Sequence, residues 1–293
     1  FLPQDQRQDE EIPVDDEIRK AEELAIEYPA DNANFHTLAA EAMKSLPARK
    51  VPRDDPAAID QWRSRTRDML RRTVRPDPVA AVGPQDVLAL STIPDRTAGV
   101  PGHACCLRVA GQWTLPVVEY APEGSDPAVN YLILADGGLA DARDAAAEVI
   151  GWKGRAIVAD VLFTGECMPS GGGAWKHAQM ISTVGRRCLG IQVSQLDVLI
   201  EHVRSRHADH PLRIVTKGRV AGLAALVSTA LKPGRLDHLE LRQMDASLKD
   251  LLANKVTYRQ APSMFCFGLL EVADVPEMIA LADPTRVDLP AAD

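Results

Sequence analysis

Aromatic residues are scarce in this sequence: Phe, Trp and Tyr together make up 4 % of 293 residues. A core can still form, because 46 % of the chain is apolar, but it must be assembled mainly from Ala, Val, Leu and Ile. Long apolar runs are missing too. The longest, around Leu223–Leu231 and Tyr131–Ala135, fall short of the roughly 18–20 residues that cross a bilayer, so no membrane partner is expected. Lys and Arg form no stripe interleaved with aromatics, and the formal net charge is −8. Nucleic acid is therefore disfavoured, since phosphate neutralisation supplies most of such affinity. The anionic surface reads as a solubility feature.

Metal and disulfide patterns are absent as well. Cys105, Cys106, Cys167, Cys188 and Cys266 make no C-x-x-C pair, and the histidines supply no zinc spacing beside them, so neither metal nor other cofactor is expected. An odd cysteine count argues against a complete disulfide framework, and buried reduced thiols are expected. The chain begins at Phe1 without a basic-then-apolar leader. It reads as a piece of something longer, and its compartment is not legible from this end.

Residues 1–58 are polar and acidic and are broken by Pro3, Pro13, Pro29, Pro47, Pro52 and Pro56. They read as a linker or wrapping segment, with short helices expected over Asp15–Glu27 and Phe35–Leu46. Residues 59–293 read as the folded domain. Its first element is an amphipathic helix over Asp60–Val74, with Trp62, Thr66, Met69, Leu70 and Val74 on one face. Arginines crowd the other face, expected to be solvated or paired with nearby acids.

Strands then alternate with helices. Cys105–Val109 and Leu115–Tyr120, joined through Ala110-Gly111-Gln112, predict an antiparallel hairpin. Val129–Ala135, Ala156–Val161, Leu212–Thr216 and Leu236–Arg242 read as strands, the first two as continuous apolar runs. Helices are expected over Ala140–Gly151, Gly190–Arg206 and Leu223–Leu231, and a loop carries Gly165, Pro169 and Gly171–Gly173. Apolar strands separated by helices imply a mostly parallel sheet covered on both faces. An antiparallel N-terminal edge followed by a parallel remainder is the plan of the α/β-hydrolase fold.

The turn expected to carry chemistry is Thr216-Lys217-Gly218-Arg219-Val220-Ala221-Gly222. Strand, glycine, a central residue, glycine, then helix is the layout of a nucleophile elbow, normally G-x-S-x-G. The central residue is Val220, which has no lone pair with which to attack a carbonyl. A β-branched side chain is also unsuited to positive φ, so the turn is expected to be relaxed, with Val220 in ordinary backbone geometry. Ser228 falls inside the next helix, Cys266 in an apolar setting, and Ser170 on a glycine-rich loop with no evident base. His177 follows that loop and reads as a surface or capping residue.

Tyr258–Val287 resembles a group of bacterial α/β hydrolases of the acetyl xylan esterase-like type. The matching stretches are Met264-Phe265-Cys266-Phe267-Gly268-Leu269-Leu270, Asp274-Val275-Pro276-Glu277-Met278 and Ile279–Pro284. Asp160–Glu166 is similar to that group's Asp-x-x-Gly-x-Gly-Glu loop, and Asp136-Gly137-Gly138 sits where it places an oxyanion loop. The resemblance spans about residues 105–293 and implies carboxylic ester hydrolysis through Ser, Asp and His in that chain order. Here the serine position holds Val220. The acid would follow the strand entered at Pro284, where Asp288 and Asp293 stand. The last histidine is His238, ahead of both.

Three readings of function compete. The first is a degenerate, non-catalytic domain that supports an esterase domain or binds its polysaccharide or small ester ligand. It would be the C-terminal half of a tandem protein whose upstream half is the esterase. The second is an active ester hydrolase with a non-standard nucleophile, and the third is a protein-interaction domain. Export is implied by the family resemblance alone.

Overall fold

A computed structural model describes residues 3–6, 13–47, 50–78, 83–121, 124 and 126–290. Before the sheet lie two helices, α1 (Phe35–Lys44) and α2 (Pro56–Val74). The strands are β1 (Val87–Thr97), β2 (Val100–Val109), β3 (Trp113–Tyr120), β4 (Asn130–Ala135), β5 (Arg155–Ala159), β6 (Leu212–Lys217), β7 (His238–Arg242) and β8 (Arg286–Asp288). Among them run α3 (Leu139–Gly151), α4 (Ala174–Thr183), α5 (Cys188–Arg206), α6 (Arg219–Leu231), and the shorter α7 (Asp250–Ala253), α8 (Leu269–Val272) and α9 (Val275–Ala282). The strands form one sheet in the order β1-β2-β3-β5-β4-β6-β7-β8. The β1–β2, β2–β3 and β3–β5 pairs are antiparallel, and the pairs from β5 through β4, β6 and β7 to β8 are parallel.

The central strands show why the sheet takes this form. Every residue of β4 and β5 is buried, which requires cover on both faces. One layer is the large cluster of Leu132, Leu134, Ile157, Leu196, Ile200, Ile214 and Leu226. On the other face α3 lays Ala142, Ala146 and Val149 over Tyr131, Ile133, Val158 and Val215. Most of these contacts use aliphatic side chains, as the shortage of aromatics requires.

The helix α2 starts where Asp55 accepts a hydrogen bond from Ala57 N–H and Pro56 occupies the first turn, and it stops at the left-handed Arg75. Thr66, Leu70 and Val74 are buried, whereas Met69 stays 37 % exposed. The arginine face is partly structural. Arg67 donates to the carbonyls of Ala230 (3.0 Å) and Leu281 (2.7 Å), tying α2 to the ends of α6 and α9. Burial lowers the pKa of Arg67.

Some expectations need correction. No helix forms over Asp15–Glu27, where the chain makes isolated turns. Ile18, Leu24 and Ile26 are each more than 60 % exposed there, so nothing offsets the cost of nucleating a short helix. The helix expected from Leu223 begins four residues earlier, at Arg219. Elements not anticipated are β1, whose run is interrupted by polar residues and Pro94, α4, which follows directly on the glycine loop, and the short helices α7, α8 and α9. Among the described residues no helix is long and apolar enough to cross a membrane. No three-residue cluster of metal-ligating side chains occurs there either.

Candidate functional site

Ligands of open α/β sheets bind at the carboxyl ends of the parallel strands. Here that rim is built by Asp136–Gly138 after β4, Asp160–Glu166 after β5, Lys217–Gly222 after β6, and Met244 and Asp245 after β7. The register sets β4 beside β6, with Ala135 opposite Lys217, so the loop after β4 must meet the turn after β6.

That meeting is closed by a carboxylate. Asp136 Oδ1 accepts from Ala221 N–H at 2.8 Å, and Oδ2 accepts from Val220 N–H at 3.2 Å. The first turn of α6 carries backbone donors without intrahelical partners, and a carboxylate there satisfies them and opposes the helix dipole. Gly218 is required for the approach: its φ is 110°, and a Cβ there would lie 2.3 Å from Asp136 Cγ. Gly222 is required on the other side, where a Cβ would lie 2.9 Å from Met244 Sδ. The two glycines of the sequence pattern thus admit a carboxylate and a thioether.

Val220 occupies the second position of α6 and is not among the positive-φ residues; the left-handed conformation falls on Gly218. Its half-buried side chain packs against the large core cluster. In a working elbow the N–H after the nucleophile helps to stabilise the oxyanion. The corresponding N–H here belongs to Ala221 and is bonded to Asp136.

A second carboxylate lies behind the first. Asp160 is 3 % exposed; its Oδ2 accepts from Glu166 N–H at 2.8 Å, and its Oδ1 is buried without a hydrogen-bond partner in the protein. Gly138 (φ 71°) and Gly165 (φ 42°) press against this group, and a Cβ on Gly165 would sit 2.2 Å from Asp160 Oδ2. Gly165 N–H donates to the Asp136 carbonyl at 3.2 Å, so the two loops are stitched together. Gly137 has Asp141 against it. Burial raises the pKa of Asp136, against the pull of the N–H donors at the start of α6, and burial also raises that of Asp160.

The acid candidates lie elsewhere. Asp288 ends β8 opposite Glu240, which pairs with Val215, two residues short of the end of β6. Its carboxylate meets His238 Nε2 at 2.8 Å and the Arg286 guanidinium at 2.9 and 3.1 Å. Those contacts, that of Arg286 first, lower its pKa. His238 is level with Arg213, four residues before Lys217, a separation of roughly 13 Å along the strand. The structure therefore forms an aspartate–histidine pair but not at the elbow. Asp293 lies outside the described residues.

The remaining nucleophile candidates are also accounted for. Ser228 is fully buried and donates to Asp197 Oδ1 at 2.6 Å, beside Arg235 and Lys232, which both contact the same carboxylate at 2.7 Å. Ser170 is exposed on the glycine loop, and a ring nitrogen of His177 lies 3.0 Å from the Gly173 carbonyl. Burial pushes the thiols of Cys188 and Cys266 up to about 11 and that of Cys167 up to about 12, leaving all three un-ionised at neutral pH. Sequence reasoning placed Asp136 in the oxyanion loop but missed that its side chain fills the elbow. A short acidic residue ending the strand beside β6 was the signal available.

No family model and no curated protein matches this chain by sequence. Solved structures do match by shape. A candidate acetyl xylan esterase from Bacteroides fragilis superposes with a TM-score of 0.69 at 9 % identity, covering 89 % of this chain and 76 % of that one. A glucuronoyl esterase from Solibacter usitatus gives 0.54 at 11 % identity over 83 % and 80 %. Acetyl xylan esterase 1 from Thermoanaerobacterium sp. gives 0.51 at 12 % identity over 78 % and 76 %. At such identities the likeness speaks for the backbone plan alone. The chain therefore has an α/β-hydrolase fold, the backbone plan that these acetyl xylan and glucuronoyl esterases also adopt.

Proposed function

We propose that this chain is a carbohydrate-esterase-type α/β-hydrolase domain that has given up ester hydrolysis and supports an esterase domain of the same protein. The observation that carries this reading is the Asp136 carboxylate on the Ala221 and Val220 N–H groups, at 2.8 and 3.2 Å, beneath a valine. An acyl-transfer site needs a nucleophile and vacant donors for the developing oxyanion. Here the central side chain is aliphatic, and a permanent in-chain acceptor holds the donors. A negative charge at that point would also repel an approaching oxyanion at close range.

The reading assigns the domain a supporting or ligand-presenting role toward acetylated polysaccharide or a small ester. The test is hydrolysis of p-nitrophenyl acetate by the wild-type chain and by Val220→Ser, Asp136→Ala and the double variant. Wild type and Val220→Ser are expected to show no turnover above buffer. Clear wild-type turnover that survives Asp136→Ala would show a nucleophile elsewhere and overturn the proposal.

A further inference from the structure

At the end of the sheet opposite the elbow, a histidine accepts from an arginine. Arg155, the first residue of β5, has a side chain only 9 % exposed, and its Nη1 lies 2.6 Å from Nδ1 and 3.1 Å from Nε2 of His207, just past the end of α5. Arginine is always a donor and always charged, so the ring nitrogen facing it must carry its lone pair. The contact exists only while His207 is neutral.

The surroundings make this contact a junction of several elements. Glu119 of β3 lies 3.1 Å from Arg155 Nε, 3.7 Å from His207 Nε2 and 3.9 Å from Arg206 Nη2. Asp126 lies 3.8 Å from Arg155 Nη2 and 3.2 Å from His210 Nε2. His103 of β2 stands directly opposite Glu119 in the β2–β3 register, with Cys105 two residues along. His202 sits one turn back on α5, and burial and then Arg206 lower its pKa. Around His207, the two arginines balance Glu119 and Asp126, and burial holds His202 and His207 toward the neutral form. A proton on His207 adds a positive charge to this cluster, directly against Arg155.

We infer that His207 and Arg155 form an acid-sensitive latch that fastens the C-terminal end of α5 to β3 and β5 and releases as the imidazole takes a proton. The buried body of α5 stays in place through its apolar contacts, and the part set free is its last turn with the following His207–Pro211 connection. Burial first, and then Arg155, hold the His207 pKa below the ordinary histidine value. Because the folded pKa is depressed, the folded state binds fewer protons than the unfolded chain just below about pH 6.5. The latch is thus fully effective above that pH and is lost as pH falls toward the depressed value.

The test is amide hydrogen exchange of the wild-type chain at pH 7.5 and 5.5, corrected for intrinsic rates, beside His207→Gln and His177→Gln. Amides of Val203–His207 are expected to exchange roughly three- to tenfold faster at the lower pH, while those of α6 change far less. The pH response should vanish in His207→Gln, whose side chain can accept from Arg155 but not titrate, and persist in His177→Gln. NMR titration of wild-type His207 supplies a reading that needs no variant, with a midpoint expected below that of a free histidine. Equal protection at both pH values, an unchanged response in His207→Gln, or a His207 midpoint at or above the free value would overturn the latch.

Discussion

Asp136 shows how much one side chain can alter in this fold. It caps α6 through two hydrogen bonds and joins β4 to the turn after β6. Replacing it with alanine leaves the first-turn donors of a buried helix unsatisfied. We expect Asp136→Ala to lose about 1–2 kcal/mol in urea denaturation, the upper part of the range for a helix cap. Asp160 shares with Asp136 a pKa raised by burial but meets a single N–H donor, that of Glu166. Its pKa is raised by burial, so the folded state holds a proton that the unfolded chain releases near the ordinary carboxylate range. Its ionisation therefore costs stability: the cost is absent below about pH 4 and appears as pH rises through the raised value. Asp160→Asn removes the cost while keeping an acceptor for Glu166 N–H. Urea midpoints measured from pH 4 to 7 should rise more steeply, or fall less, in the variant than in wild type. Parallel profiles would show that Asp160 ionises without penalty.

At the scale of elements, the arginines of α2 differ in kind although the sequence presents them as one face. Arg67 reaches two main-chain carbonyls at the ends of α6 and α9, whereas Arg71 pairs with Asp68 on its own helix. Arg67→Ala should cost about 1–3 kcal/mol, because two acceptors at a helix junction lose a charged donor. Arg71→Ala should stay within about 0.5 kcal/mol, as is usual for an exposed pair. Parallel urea titrations of the two variants check this, and equal losses would mean that α2 is held by its apolar stripe alone. The helix α9 illustrates a boundary legible in sequence: Asp274-Val275-Pro276-Glu277 is a capping box with proline in the first turn, and the structure uses both caps. The whole of β1 carried no comparable signal. Pro94 and polar residues interrupt β1, and edge strands tolerate such a pattern because one side of the ladder is unpaired.

For the molecule as a whole, the large cluster joins the sheet to α2, α5, α6 and the segment from Leu248 to Leu281, and it draws no buried residue from the chain ahead of α2. The helix α1 has no buried side chain, and Phe35 on it is 92 % exposed. A chain starting at residue 51 should therefore keep its cooperative unfolding, with Tm within about 3 °C of the full chain, since a shift of that size corresponds to roughly 1 kcal/mol for a domain of this length. A collapse of the transition would show that the leading segment is part of the fold.

The sequence alone determined the alternation of apolar strands and helices, the antiparallel entry, the glycine-framed turn and the aliphatic residue at its centre. Those features are local: each follows from periodicity, turn chemistry or the identity of one side chain, and the shape matches to esterases agree with the plan they imply. Tertiary structure decided what fills the turn and which charges meet. Asp136 lies 84 residues from Val220, and Asp288 lies 50 from His238; each pair is brought together only by strand register. Register depends on the whole sheet, because each strand is fixed by the apolar faces of its neighbours, so no local window of the sequence contains it. For the same reason Asp288 and His238 pair with each other beside the edge strand while Asp136 takes the turn after β6.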